Sequence, residues 1–298
     1  MSKKRTKSKL KSASAFDVIL TIFFCLVGLL MIYPLYHVII ISFSTKVSYA
    51  QHIPYVLPYE FDLTGYKTIL IDKSFLNALG VTLFVTIVGT AINMLMSVVG
   101  AYVLSKKTLV GRNFFLAYIL FTMLFGGGLI PTYLINKSLG FVNSIWVMII
   151  PPAINTYYLI IMKNYFVSLP QSLLDAAVID GANEWVTLVQ VVIPISMPFM
   201  ATFALFYAVE RWNEWGLAMI YINKTSLNPL QIYLRNILIS SSSNLSSSAM
   251  SMLARNKKIS AQAVQMAAIV VTTLPVLCIY PFVQKHFVKG VMIGSIKE

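Results

Sequence analysis

Long apolar runs separated by polar, glycine-marked or proline-marked stretches set the pattern of this chain. An α-helix crossing a bilayer needs about 20 apolar residues. Six runs meet or approach that length, at about 16–43, 77–104, 113–135, 144–164, 198–222 and 263–285. The pattern predicts an all-α membrane protein with six transmembrane helices. The connections differ in character. Residues 44–76 carry Pro54, Pro58 and Gly65 and read as a loop, 136–143 as a short turn, and 223–262 as a segment with a mobile Ser-rich centre from Ser240 to Ser248. The stretch 165–197 is the most polar interruption between two spans.

Two interruptions stand out. Gly126-Gly127-Gly128 falls within the third run and precedes Pro131. Each glycine weakens a helix by about 1 kcal/mol, so this point reads either as a frayed outer helix end or as a bendable mouth of a pathway. The second interruption reads as a helical hairpin. Ser168 can cap a first helix, with Gln171 reaching back and Pro170 in its first turn. Gly181 is placed to stop that helix in a left-handed conformation. Asn183 can cap a second short helix that Pro194 ends, and Ser196 and Pro198 open the next span. A hairpin of this kind also occurs as an ordinary surface element.

Composition confirms the solvent and charge sets the orientation. The 298 residues are 58% hydrophobic and only 11% charged, against about 25% charged in soluble domains. The net charge of +13 does not argue for nucleic acid, because Lys3, Lys4, Arg5, Lys7, Lys9 and Lys11 crowd ahead of the first span. Such clusters stay in the cytoplasm and can also touch anionic membrane lipid. With Lys106, Lys107 and Arg112, and with Lys285, Lys289 and Lys297, they place the N and C termini and the 165–197 loop in the cytoplasm. The first run is too long for a signal peptide. The expected organisation is a basic tail at 1–15, a six-helix domain at 16–285 and a C-terminal tail at 286–298, in a multi-pass plasma-membrane protein. Lys224, Arg235, Arg255, Lys257 and Lys258 run against this topology, although long loops cross largely regardless of charge. Cys25 and Cys278 fit no disulfide or metal spacing and read as small core residues.

The hairpin carries a resemblance. Asp175-Ala176-Ala177, Gly181, Val191, Ile193 and Pro194 fall at the spacing of the cytoplasmic loop of bacterial ATP-binding-cassette importer permeases, whose pattern is Glu-Ala-Ala, three residues, Gly, nine residues, Ile-x-Leu-Pro. Asp180-Gly181-Ala182 resembles the carbohydrate branch of that family. So do Phe61 to Tyr66, Ala101 to Lys106, Arg211-Trp212-Asn213, Asn228 to Gln231 and Lys289 to Lys297. The tail and Gly126 to Tyr133 resemble the aldouronate and complex-glycan subgroup. The resemblance implies the type I importer permease fold with a cytoplasmic coupling helix. It implies Asp175, Ala176, Ala177, Asp180, Gly181, Ala182 and Pro194 as the surface that docks an ATPase. Asp175 stands where the family has glutamate, one methylene shorter.

The resemblance also implies an assembly: a second, homologous permease in a heterodimer, two ATPase subunits and an extracytoplasmic solute-binding protein, importing a sugar. No G-x-x-x-x-G-K-[ST] phosphate loop occurs, so the chain is expected to hold no cofactor, with ATP and Mg on the partner ATPase. It is not expected to be an enzyme or to hold a metal. His37, His52 and His286 are scattered.

The fifth span holds the candidate substrate path: Tyr207, Glu210, Arg211, Trp212, Asn213 and Glu214. Charges inside a span default to function, and Tyr207, Glu210, Arg211 and Glu214 share a face by spacing. Sugars take polar groups at their hydroxyls and aromatic platforms at their C–H faces. The competing reading is structural, with Arg211 paired to Glu214 and Glu210 bonded to a partner permease. Asn93 and Ser97 of the second span read as helix–helix hydrogen-bonding residues. The alternatives of other classes are an importer permease for a non-sugar solute such as a peptide, an ion-coupled secondary transporter and a membrane-embedded enzyme. The hairpin spacing and the few acidic residues argue against the ion-coupled transporter, and the scattered histidines with no H-E-x-x-H or G-x-S-x-G motif argue against the enzyme.

Overall fold

The computed structural model describes residues 15–45, 57, 60–239 and 261–295, with backbone alone for 279–295. The basic cluster at positions 3–11, Ser240 to Ser248, and the basic residues at 255–258 lie outside the described residues. The described residues form helices and no strands: α1 (Ala15–Ser42), α2 (Thr64–Ile71), α3 (Lys73–Ser105), α4 (Arg112–Leu124), α5 (Leu129–Ser138), α6 (Thr156–Val167), α7 (Gln171–Ile179), α8 (Glu184–Ile195), α9 (Met197–Trp212), α10 (Gly216–Tyr221), α11 (Leu230–Ile239) and α12 (Ala261–Ser295).

Three of these helices, α1, α3 and α12, are long and apolar enough to cross a membrane, and two bent helix pairs raise the number to five. Six spans are expected, and two of them are not continuous helices. The third breaks at its glycines: α4 stops at Leu124, Gly128 takes φ +80°, and α5 leaves at 115° to α4. A helix resumes beyond the glycines, so the site is a bend and not a frayed end. The fourth, expected at 144–164, is a 3-10 turn at Ile145–Met148 followed by irregular backbone up to α6. Pro151 and Pro152 explain the gap, because proline lacks the helical N–H and clashes with the carbonyl four residues earlier. The α6 helix has 12 residues, about 18 Å of rise, too short to cross alone.

Smaller differences have local causes. The 44–76 connection contains α2, started by Asp62, whose Oδ1 accepts from Thr64 N at 2.9 Å. Asp72 then caps α3 through Ser74 N at 2.9 Å, so α3 begins four residues before the expected position. The 223–262 segment contains α11, anchored where Leu230 N donates to Thr82 Oγ1 at 2.7 Å. The α12 helix runs on through most of the stretch expected as a tail. Cys25 and Cys278, expected in the core, are exposed on α1 and α12.

The core lies around α3. Val98, Ala101 and Leu104 of α3 pack with Met162 and Phe166 of α6, Leu188 and Val192 of α8, and Phe203 of α9. A second cluster joins Ile69, Phe75, Trp212, Leu230 and Ala267 at the other end of α3. Gly65 lets α2 close on α12, where an added Cβ would stand 3.3 Å from the Ala263 carbonyl oxygen. By contrast α1 buries only Ile40, Ile41 and Ser42, and α4 buries nothing. Helices so apolar and so exposed suit lipid or a second apolar subunit as their surroundings.

Candidate functional site

Two sites come from the expected residues: an exposed hairpin and a buried polar cluster. The hairpin is α7–turn–α8. Gly181 takes φ +79°, where any side chain would be strained. Gly181 N donates to the Val178 carbonyl at 3.0 Å and Ala182 N to the Ala177 carbonyl at 2.9 Å, the paired bonds that close a helix on a left-handed glycine. Asn183 then starts α8, its Oδ1 accepting from Val186 N at 2.9 Å.

The beginning of the hairpin differs from expectation. Ser168 Oγ donates back to the Tyr165 carbonyl at 2.7 Å and so closes α6. Pro170 is the residue before α7, and Gln171 Nε2 donates to Asp175 Oδ1 at 3.0 Å. Pro194 does not end α8. The helix runs one residue further and breaks at Ser196, after widening to π geometry at Thr187–Val192.

The hairpin's outer surface has a definite composition. Asp175, Ala176, Asp180 and Gly181 are exposed, and Ala182 is half-buried. Ala177 is buried, so of the two alanines only Ala176 lies on the open side. Beside them Val178 is 64%, Ile179 85% and Trp185 60% exposed. These three apolar residues were not singled out from the sequence. Their exposure beside a glycine-closed helix end is the signal that was missed, because in an apolar chain three more apolar residues carry no contrast.

The hairpin is tied to α3. Lys106 Nζ pairs with Glu184 Oε2 at 2.7 Å and lies 4.6 Å above the Tyr102 ring centre. Tyr102 Oη donates to the same Glu184 oxygen. The hydrogen bond from Lys106, then the one from Tyr102, hold the Glu184 carboxyl below its ordinary pKa against the opposing effect of burial.

The second site gathers around Arg211. Its side chain is only 1% exposed. Nη1 donates to the Met148 carbonyl at 2.9 Å, Nη2 meets Glu210 Oε1 at 3.4 Å and Nη1 meets Glu214 Oε2 at 3.8 Å. Two neighbours act on the same irregular stretch. Asn93 Nδ2 donates to the Pro152 carbonyl at 3.1 Å, and Tyr207 Oη accepts from Asn155 N at 3.3 Å while bonding Ser97 Oγ at 2.7 Å. Three side chains from α3 and α9 therefore satisfy backbone groups of residues 148–155. Non-helical backbone at membrane depth persists only where protein covers it, and this cluster supplies the cover. Gly89 makes room for the Arg211 stem: a Cβ there would stand 3.0 Å from Arg211 Cδ.

The six expected path residues thus divide. Tyr207, Arg211 and Trp212 point into the protein, Trp212 donating from Nε1 to the Thr272 carbonyl at 3.3 Å. Glu210, Asn213 and Glu214 line a groove of ≈ 620 Å³ with Tyr158, Phe206 and Trp215. Asn213 Nδ2 donates to the Val209 carbonyl at 2.9 Å and its Oδ1 accepts from Gln231 at 3.2 Å. Glu214 Oε1 accepts from Leu217 N at 2.9 Å. The shared face expected from spacing splits, since Glu210 is 41% exposed while Tyr207 is fully buried. The Arg211–Glu214 pair is present, as the structural reading required. Tyr158 and Trp215 were missed because they lie outside the fifth span's polar run.

No family model matches the chain. Among curated proteins, it is 41% identical to Protein LplC of Bacillus subtilis over the full length of both. It is 42% identical to the polygalacturonan/rhamnogalacturonan transport system permease protein YtcP of the same organism, over 95% of this chain and 98% of that one. Among solved structures, it is similar to a chain of a bacterial ABC transporter involved in the import of the acidic polysaccharide alginate, with a TM-score of 0.88, 33% identity, and coverage of 93% and 99%.

Proposed function

We propose, for a chain that belongs to the permeases of bacterial ATP-binding-cassette sugar importers, that the α7–α8 hairpin is the cytoplasmic coupling element and the α9 groove is part of the pathway for an oligosaccharide. In this reading the chain crosses the plasma membrane six times with both termini in the cytoplasm, the bent α4–α5 pair and the irregular stretch before α6 counting as the third and fourth crossings. A second, homologous permease completes the pore. Two ATPase subunits bind ATP and Mg and dock on the hairpins. A solute-binding protein delivers the sugar from outside.

The observation that carries this reading is the hairpin's surface. Ile179 and Val178 project from a glycine-closed helix end, flanked by Asp175 and Asp180. An apolar knob of this kind outside the apolar spans needs a partner to cover it. The acids add pairing to basic groups on that partner, and Ala176 permits close approach. Movement of the docked ATPases is carried into α3 through Glu184 and Lys106, and into α9 through the single break at Ser196.

Ala176→Trp tests it. The side chain is exposed, so the fold is expected to change by no more than about 0.5 kcal/mol. The importer should lose ATP-driven uptake, and the ATPase should no longer co-purify with the permeases. Full uptake with the ATPase still bound would remove the hairpin from the coupling role.

A further inference from the structure

The charge of the α9 groove bears on which saccharides pass it. Its wall presents two carboxylates, Glu210 and Glu214, and an amide, Asn213. The neighbouring cation is Arg211, whose guanidinium is buried and already committed to the Met148 carbonyl. Its single charge opposes two, which leaves one negative charge on the groove, carried by the more exposed Glu210. No lysine, arginine or histidine is among the described lining residues. Trp215, half exposed, and Tyr158 give the groove an aromatic wall.

We infer that this groove takes an uncharged saccharide and discriminates against uronates. Carboxylate oxygens and the Asn213 amide match hydroxyl groups, which both donate and accept, and the rings match the apolar faces of pyranoses. A uronate brings its own carboxylate into a groove that already holds an excess of negative charge, and like charges repel. The inference rests on the proposed pathway role of the groove. It separates this chain from expectations drawn from the acidic polysaccharides named for two of its relatives.

The test is direct binding to the complete importer in nanodiscs, without the solute-binding protein, so that delivery does not set the preference. The readout is the intrinsic fluorescence assigned to Trp215 by difference from Trp215→Phe. The probes are a neutral galactose trisaccharide and trigalacturonate. The neutral probe is expected to bind at least about threefold more tightly. Glu210→Gln, isosteric at a half-exposed position, should narrow that gap, and Asn213→Asp, which adds a carboxylate, should widen it. Equal or tighter binding of trigalacturonate, or a gap that neither substitution moves, overturns the inference. If neither probe alters Trp215 while ATP-driven saccharide uptake persists, the groove is off the path and the inference fails alone. If uptake of every saccharide is absent as well, the importer reading fails with it.

Discussion

The hairpin at 171–195 and the cluster around Arg211 are both polar departures in an apolar chain, and they are built in opposite ways. The hairpin takes its shape from local bonds, with Glu184 its link to α3. Gly181, Ala182 and Asn183 each act on backbone within five residues, and the surface left over faces outward. The Arg211 cluster is made of distant ones: Arg211 reaches Met148, Asn93 reaches Pro152, and Tyr207 reaches Ser97 and Asn155. The difference teaches where a polar residue in a membrane chain belongs to function and where to architecture. Local satisfaction frees a surface for a partner. Long-range satisfaction consumes the side chain in holding an irregular segment.

The widest separation between the two is expected from removing Arg211. Arg211→Met strips the Met148 carbonyl of its donor and leaves Glu214, only 13% exposed, without its counter-ion. Breaking such a buried interaction costs about 3 kcal/mol or more. The purified protein should unfold at clearly lower temperature, and proteolysis should open the 148–155 segment first. An unchanged unfolding midpoint would break the comparison, because it would return Arg211 to the set of residues free for substrate.

Gly89→Ala sharpens the same point with a smaller effect. The new Cβ would stand 3.0 Å from Arg211 Cδ and 3.2 Å from Cγ, and overpacking of this kind costs about 1–3 kcal/mol. The contact is with Arg211 itself, so the two changes must couple. In an Arg211→Ala background, Gly89→Ala should cost almost nothing, and the departure from additivity, read by thermal unfolding of the four proteins of the cycle, should be at least about 0.5 kcal/mol. Additive losses would mean that Gly89 serves helix packing and not the arginine.

This contrast also explains what could be read from the sequence. The hairpin was legible because its determinants are punctuation: a glycine needing a left-handed φ, an asparagine before a helix, and a spacing shared with a family. Its end at Ser196 and its exposed Val178 and Ile179 were not, since aliphatic residues in an apolar chain give no contrast. The runs around α1, α3 and α12 were legible by length alone. The irregular conformation of the fourth run was not legible because hydropathy reports the solvent and not the conformation: Pro151 and Pro152 sit in an apolar stretch whose backbone is satisfied in part by Asn93, Tyr207 and Arg211 from elsewhere. Side chains of distant helices help to make that break tolerable. For the same reason the division of the α9 residues between interior and groove was closed to spacing arguments, which placed Tyr207 and Glu210 on one face.

The smallest effect concerns the link between the hairpin and α3. Glu184 is 69% exposed and its partner Lys106 25%, so their pair contributes little to global stability. Its consequence is local and dependent on pH. The folded-state pKa of Glu184 lies below its ordinary value. The contribution of the pair is therefore fully present above that ordinary value, about 4.3, and is lost as pH falls through the lower folded value. Between neutral pH and about 5 the hairpin should hold its position against α3. As the pH falls through the lowered folded-state value its amide exchange, followed by mass spectrometry over 171–195, should rise ahead of that of the α3–α9 core. Glu184→Gln removes the charge and should abolish that step, leaving exchange already raised at pH 7 and flat on acidification. The global unfolding midpoint should move little in either case. A large fall in that midpoint would show that the hairpin, like the Arg211 cluster, is held by long-range bonds, and the contrast between the two regions would dissolve.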